Sequence, residues 1–170
     1  MIGRLKCIII VNGLPNSGKT TFENLVSKYA KTMIYSSVDF VKEVAKYAGW
    51  DGVKDEKGRL FLSQLKSIMT RYDDIPYKKV KEEVELFQHS DAEILFLDIR
   101  EPEEIARAVK DFKALSVFVE RQNNNQSLSN DSDRRVKEYG NYWFWIDNNA
   151  GLKELDAKAY NFVETLKKSW

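Results

Sequence analysis

The chain is poor in the residues that build covalent and metal-centred sites. It contains one cysteine, Cys7, and one histidine, His89, among 170 residues. A single cysteine excludes an internal disulfide and a thiolate zinc site, because each needs further ligands or partners. Cys7 opens an apolar run, so we expect a buried, inert thiol. His89 lies in a charged stretch and is expected at the surface.

The sequence also lacks a long apolar run and an excess of one charge. The run at 7–11 is shorter than a signal-peptide core, and nothing approaches the roughly 20 apolar residues that span a bilayer. We therefore expect a cytoplasmic protein without a membrane partner. Lys and Arg number 27 against 26 Asp and Glu. This balance disfavours broad nucleic-acid binding but permits a local basic pocket.

Short apolar runs alternate with amphipathic segments along the whole chain. In the amphipathic segments between the runs, apolar residues recur at helical spacing. A hydrophobic fraction of 43% is sufficient for a core. Strands that alternate with helices form parallel βαβ units. We predict one α/β domain over residues 1–170, with Trp143 and Trp145 in the core. The predicted strands of its mainly parallel sheet lie at 7–11, 33–37, 94–98, 115–119 and 142–146.

Residues Gly13–Thr20 match the pattern G-x-x-x-x-G-K-[ST]. Glycines let several backbone N–H groups turn toward one anion, and the following helix adds the positive end of its dipole. Lys19 supplies a charge for the outer phosphates, and the Thr20 hydroxyl can ligate Mg²⁺. The required strand precedes the motif and the required helix follows it. The sequence therefore predicts a nucleoside-triphosphate site in a three-layer P-loop NTPase fold.

With this motif and this order of elements, the chain resembles the P-loop kinases of small molecules, especially nucleoside and nucleotide kinases. Lys57-Gly58-Arg59 ahead of Leu60–Lys66, and Asp98-Ile99-Arg100 at a strand end, are similar to segments of phage deoxynucleoside-monophosphate kinases and phosphomevalonate-kinase-like proteins. The resemblance implies ATP and Mg²⁺ as cofactors. It also implies a helical acceptor region at about 40–90 and a lid-like segment at about 121–138.

The resemblance further implies roles for individual residues. Arg59 and Arg100 would bind an acceptor phosphate, and Arg134 or its neighbour Arg135 would stabilise the transferred phosphoryl group. A solvated helix face is the alternative for Arg59, and local ion pairs with Asp131 and Asp133 are the alternative for Arg134 and Arg135. The turn at 147–151 resembles a loop that flanks adenine, although a plain turn fits it as well. The implied nucleotide-binding residues are Gly13, Asn16, Ser17, Gly18, Lys19, Thr20, Thr21 and Arg121.

Two acidic residues follow predicted strands, where ligands gather in open parallel sheets. Asp39 could orient an acceptor oxygen or accept its proton; a helix N-cap made by Ser37 or Asp39 is the alternative. Asp98 stands where P-loop proteins keep an acidic Mg²⁺ contact. An ordinary ion pair involving the glutamates at 101–104 is the alternative for Asp98 and Arg100.

The predicted activity is ATP-dependent phosphoryl transfer to a small phosphorylated acceptor, foremost a nucleoside or deoxynucleoside monophosphate. A kinase of a non-nucleotide acceptor such as phosphomevalonate, and a non-catalytic ATP-binding module, are alternatives. The absence of an N-K-x-D motif disfavours a switch GTPase. The near-neutral charge disfavours phosphorylation of nucleic-acid ends. The sequence leaves the oligomeric state open.

Overall fold

The computed structural model describes residues 5–122 and 135–169. All strand pairs are parallel, in the order β2-β3-β1-β4-β5. The predicted α/β fold with a five-stranded parallel sheet is confirmed. The strands are β1 (Cys7–Asn12), β2 (Thr32–Ser36), β3 (Ile94–Asp98), β4 (Leu115–Glu120) and β5 (Phe144–Asp147). The helices in these ranges are α1 (Lys19–Val26), α2 (Asp39–Tyr47), α3 (Glu56–Asp73), α4 (Ile75–His89), α5 (Pro102–Phe112) and α6 (Leu152–Ser169).

β1 is buried on both faces because its side chains serve two cores. Cys7, Ile9 and Val11 belong to the core beneath α1 and α6. Ile8 and Ile10 belong to the core beneath α4 and α5. A continuous apolar run is what a central parallel strand requires. Burial raises the pKa of the Cys7 thiol to about 12, so the expected buried thiol is confirmed.

β5 is an edge strand, and the prediction that Trp143, just before it, and Trp145, within it, are core residues is wrong. Trp143 is 70% exposed and Trp145 is 52% exposed, whereas Ile146 belongs to the core beneath α6 and the partly buried Phe144 packs against that core. The strand also begins two residues later than predicted. An alternation of aromatic residues predicted two covered faces, but among the described residues only one face of β5 is covered.

The carboxyl ends of β1, β2 and β3 lie side by side. The strand register places Val11 and Ser36 opposite Asp98, so the segments that follow these strands meet at one edge of the sheet. α3 packs against α2 and α4 and buries only Gly58 and Met69. It therefore stands away from the sheet and forms the far wall of a cleft. No helix in the described ranges has both the length and the apolar character needed to cross a membrane.

Candidate active site

One cleft of about 1390 Å³ opens at the carboxyl ends of β1, β2 and β3. The phosphate loop, Gly13–Thr20, forms one end of it. Ser17 is buried. Ser17 and Gly13 belong to the loop but do not line the cleft. Of the predicted nucleotide-binding residues, those that line it are Asn16, Gly18, Lys19, Thr20, Thr21 and Arg121.

Two glycines shape the phosphate loop. Gly13 has φ +151° and Gly18 has φ +97°, values that residues with a side chain rarely adopt. A Cβ on Gly13 would collide with the carbonyl oxygen of Val119, and one on Gly18 would collide with the side-chain amide of Asn148. The backbone angles and the close neighbours therefore both require glycine at these positions.

Lys19 begins α1 and bends back along the phosphate loop. Its Nζ donates to the carbonyl oxygens of Gly13 at 2.8 Å and Leu14 at 3.0 Å. The ammonium group is thus held beside the loop, where it can contact an anion bound by the loop. This position agrees with the predicted role of Lys19 as a charge for the outer phosphates.

Two asparagines outside the motif hold the phosphate loop against the rest of the sheet. Asn148 Nδ2 donates to the Ser17 carbonyl oxygen at 2.8 Å, and the Asn148 backbone N–H donates to Glu120 at 2.8 Å. Asn12 is fully buried, and its Oδ1 accepts a hydrogen bond from the Gly13 N–H at 2.8 Å. The loop conformation is therefore fixed by contacts that the motif does not contain.

Two carboxyl groups approach each other in the interior near Lys19. Glu23 on α1 is fully buried, and Asp98 ends β3. Among the described residues, no N–H or hydroxyl donor reaches either Glu23 oxygen or Asp98 Oδ1. Burial, reinforced by the charge of Asp98 and by a hydrogen bond between the two carboxyl groups, raises the pKa of Glu23 to about 8. Burial also raises the pKa of Asp98, although the charges of Lys19 and Arg100 oppose this shift.

The oxygen atoms around Asp98 fit a divalent cation. Mg²⁺ prefers hard oxygen ligands and is commonly bound through one or two carboxylates together with substrate phosphates. Thr20 and Asp98 both line the cleft, and Asp98 Oδ1 is buried without a donor within the described part of the chain. No group of three His, Cys, Asp or Glu side chains in that part could hold a metal alone. A bound Mg²⁺ would therefore take its other ligands from the nucleotide and water.

The other end of the cleft concentrates positive charge in four residues, which we name the cation cluster: Lys42 of α2, Lys54 of the following loop, Arg59 of α3 and Arg100 after β3. Their proximity lowers the pKa of Lys54, first through the charge of Lys42, then through burial and the charges of Arg100 and Arg59. Arg59 Nε also donates to the Lys54 carbonyl oxygen at 3.0 Å. The sequence predicts Arg59 and Arg100 at this site, whereas Lys54 belongs to no motif and is not predicted.

Asp39 lies at the edge of the cation cluster. Its Oδ1 pairs with Lys42 Nζ at 2.6 Å, and its Oδ2 accepts a hydrogen bond from the Ser36 N–H at 2.9 Å. Val38 holds the N-cap position of α2, and no side chain caps the helix. The alternative of an N-cap made by Ser37 or Asp39 is therefore wrong. Asp39 instead lines the cleft at the end of β2.

A largely buried ion-pair cluster joins α3 to α5 along the cleft. Lys66, whose side chain is 13% exposed, donates to Glu101 at 2.9 Å and to Glu104 at 2.7 Å. Burial lowers the pKa of Lys66, but attraction to the two carboxylates reverses the shift and raises it. Burial also raises the pKa of Glu104 to about 7. These contacts fix the distance between the far wall and the sheet.

The predicted lid is described only at its two ends. Arg134 and the segment 123–134 lie outside the described residues. Arg121 and Arg135 line the cleft, and the Arg135 guanidinium pairs with Glu103 and Glu138. The lid role of Arg134 therefore stays a prediction.

The cleft as a whole is more positive than the chain. Ten Lys and Arg residues line it against six Asp and Glu residues, whereas the whole chain carries a net charge of +1. Walls of low polarisability focus such a field into a cleft and raise the local concentration of anions. The arrangement is suited to binding two anionic groups, one at each end.

Comparison with known proteins finds solved structures of similar fold. No family model and no curated protein matches it. A protein from Chloroflexus aurantiacus, described as a candidate kinase, aligns over 95% of this chain and 98% of its own, with TM-score 0.52 and 12% identity. Thymidylate kinase from Candida albicans aligns over 96% and 93%, with TM-score 0.49 and 12% identity. At these identities the likeness shows the fold alone.

Proposed function

We propose that this chain is a kinase that transfers the γ-phosphoryl group of ATP to a small acceptor that already carries a phosphate. The observation that carries the proposal is that one cleft has two ends whose residues are suited to anions. The phosphate loop forms one end, and the cation cluster forms the other. A protein that only bound ATP would have no use for the second end.

The phosphate loop would hold ATP through its backbone N–H groups and Lys19. Mg²⁺, held by Thr20 and Asp98, would neutralise charge on the phosphates when bound. Arg121 at the end of β4 and Arg134 of the lid would add positive charge around the transferred group. The motif, the position of Asp98 beside β1 and the lining of the cleft support these assignments, except that of Arg134, which rests on the family resemblance alone.

The cation cluster would hold the acceptor phosphate, with Arg59 and Arg100 as its bidentate ligands. An acceptor oxygen attacks the γ-phosphorus, and the bond from that phosphorus to the bridging oxygen of ADP breaks. Because a phosphate oxygen is already anionic near neutral pH, the reaction needs no strong base. Asp39, tethered to Ser36 and Lys42, is therefore suited to orient the acceptor. Positioning and charge neutralisation provide most of the catalysis in phosphoryl transfer.

A nucleoside or deoxynucleoside monophosphate is the acceptor that we propose. Its sugar and base carry hydroxyl, carbonyl and amino groups, which need polar partners when they leave water. The wall of the cleft beyond the cation cluster offers such partners. They are Ser63, Ser67, Thr70 and Asp74.

The proposal is tested by incubating the protein with Mg-ATP and a panel of ribo- and deoxynucleoside monophosphates, with phosphomevalonate included, and following ADP by chromatography. We expect ADP only when a nucleoside monophosphate is present. Lys19→Ala should abolish it, whereas Lys168→Ala, which removes an exposed cation of α6, should not. Equal ADP without an acceptor would indicate an ATPase. Turnover of phosphomevalonate alone would overturn the proposed acceptor class but not the kinase.

A further inference from the structure

Glu23 is a buried acidic residue that the phosphate-loop motif does not include. It lies three residues after Thr20 on α1, and none of its surface is exposed. Within the described residues, no N–H or hydroxyl donor reaches either of its carboxyl oxygens or Asp98 Oδ1, and the hydrogen bond that joins the Glu23 and Asp98 carboxyl groups requires a proton on one of them. Burying a carboxyl group without a donor or a cation is costly. Three such oxygens in one place therefore require an explanation.

Lys19 does not remove this cost. It attracts both carboxyl groups, but its Nζ donates to the carbonyl oxygens of Gly13 and Leu14. Neither Glu23 oxygen receives a hydrogen bond from it. The positive charge that would balance a pair of carboxylates is thus only partly supplied by this side chain.

The position of Glu23 and Asp98 indicates which group would supply the missing positive charge. Asp98 lines the cleft, and its register on β3 places it next to Val11, just before the phosphate loop. Glu23 reaches Asp98 from α1, whose first turn carries Thr20, and lies behind Asp98 without lining the cleft itself. Hard oxygens that face each other without donors are a typical environment for a hard divalent cation or for the groups that surround it.

We propose that Glu23 is a residue of the Mg²⁺ site, where its carboxylate acts with that of Asp98 to set the affinity for the cation of a bound Mg-nucleotide. The inference rests on the nucleotide site of the proposed function, but it does not depend on any acceptor. It adds to the motif a second carboxylate from the interior of α1.

The competing explanation is that Glu23 keeps a proton and has only a structural role beside Asp98. Glu23→Gln separates the two explanations. The amide preserves the size of the side chain and gives Asp98 an N–H donor, so a purely structural role would be retained. It also removes one carboxylate, so a role in cation binding would be lost.

The test measures the binding of a non-hydrolysable ATP analogue, AMP-PNP, to the full chain by calorimetry, once with EDTA and once with Mg²⁺. For the unaltered chain, we expect Mg²⁺ to tighten binding. For Glu23→Gln, this Mg²⁺-dependent gain should fall by about 10-fold or more, as is usual when a partner of a metal site is removed, while the Kd with EDTA changes little. The matched control Glu85→Gln, which alters an exposed carboxylate of α4 outside the cleft, should leave both values unchanged.

Each outcome decides a separate point. An unchanged Mg²⁺-dependent gain in Glu23→Gln overturns this inference and supports the structural role. Failure of the unaltered chain to bind AMP-PNP overturns the inference together with the nucleotide site. Normal Mg²⁺-dependent binding without turnover of any acceptor overturns only the proposed kinase activity.

A second variant covers the case in which Glu23→Gln does not fold. Glu23→Asp keeps the carboxyl group but shortens the side chain by one methylene group, which moves the carboxyl group away from Asp98. We expect it to lower the Mg²⁺-dependent gain in the same direction, because a metal site depends on the position of its ligands. A gain equal to that of the unaltered chain would again overturn the inference.

Discussion

The two ends of the cleft are built in different ways. The phosphate loop is one continuous segment whose backbone supplies the donors, and Asn12 and Asn148 hold its conformation. The cation cluster is assembled from the tips of long side chains on α2, α3 and two loops. A contiguous backbone site has a sequence motif, whereas a site of converging side chains has none. The first end can therefore be identified before the fold is known, and the second only afterwards.

The two ends also differ in the rigidity of their support. α1 buries Phe22, Leu25 and Val26 against the sheet. α3 buries only Gly58 and Met69 along 18 residues. Segments with few buried apolar contacts open at lower free energy. The wall that carries Arg59 is therefore the more adaptable one, and ion pairs of Lys66 with Glu101 and Glu104, and of Arg107 with Asp74, connect it to α5.

The largest expected effect comes from a substitution that alters the phosphate-loop end alone. Lys19→Ala removes the charge next to the transferred group, and we expect the rate of phosphoryl transfer to fall on the order of 10²–10³-fold or more. Thermal unfolding is measured alongside, because Lys19 also attracts the buried carboxyl groups of Glu23 and Asp98 and the variant must be shown to fold. The measurement is initial-rate ADP formation at saturating acceptor. A rate equal to that of Lys168→Ala would contradict the role of Lys19.

The next largest effect comes from a substitution that alters the cation cluster alone. Arg100→Ala should raise the KM for the acceptor by about 10–100-fold, which corresponds to the loss of one or two charge-assisted hydrogen bonds, while the KM for ATP changes little. Lys57→Ala is the control, because Lys57 is an exposed cation of α3 that does not line the cleft. Equal effects of Arg100→Ala on both substrates would show that the two ends are not separate sites.

Prediction from sequence succeeded where neighbours in space are neighbours in the chain. The apolar run of β1, the phosphate loop and the start of α1 follow one another, and strand ends correctly placed Asp39 and Asp98 at one edge of the sheet. Lys54 could not be found in this way, because its position depends on how α2 packs against α3.

The contact of Asn148, the burial of Glu23 and the exposure of the two tryptophans could not be predicted for similar reasons. Asn148 meets Ser17 across 131 positions of sequence, so its contact follows from the strand order and from no local pattern. The burial of Glu23 depends on which face of α1 meets Asp98. Trp143 and Trp145 were predicted to be core because alternation shows a strand but does not show whether it lies at the edge of the sheet.

A smaller effect tests whether the asparagine tether supports the phosphate loop. Asn148→Ala removes one hydrogen bond to Ser17. The loss is about 1 kcal/mol, which corresponds to a roughly fivefold higher KM for ATP. The KM for the acceptor should not change. Asn149→Ala is the matched control, because Asn149 accepts a hydrogen bond from the Gln122 N–H rather than contacting the phosphate loop. If both variants weaken ATP equally, the effect arises from the turn at 147–151 and not from the tether.

The smallest effect compares the two ends by their response to salt. Mobile ions screen exposed side-chain charges over a Debye length that falls from about 30 Å at 0.01 M to about 8 Å at 0.15 M. Backbone N–H groups that contact an anion directly act at short range and are screened less. Raising the salt should therefore increase the KM for the acceptor more than the KM for ATP, measured at constant free Mg²⁺. In Lys54→Ala the salt dependence for the acceptor should become shallower, because one of the four charges that attract it has been removed. An equal response of both substrates would mean that side-chain charge governs binding at both ends, and the contrast between a backbone site and a side-chain site would then be lost.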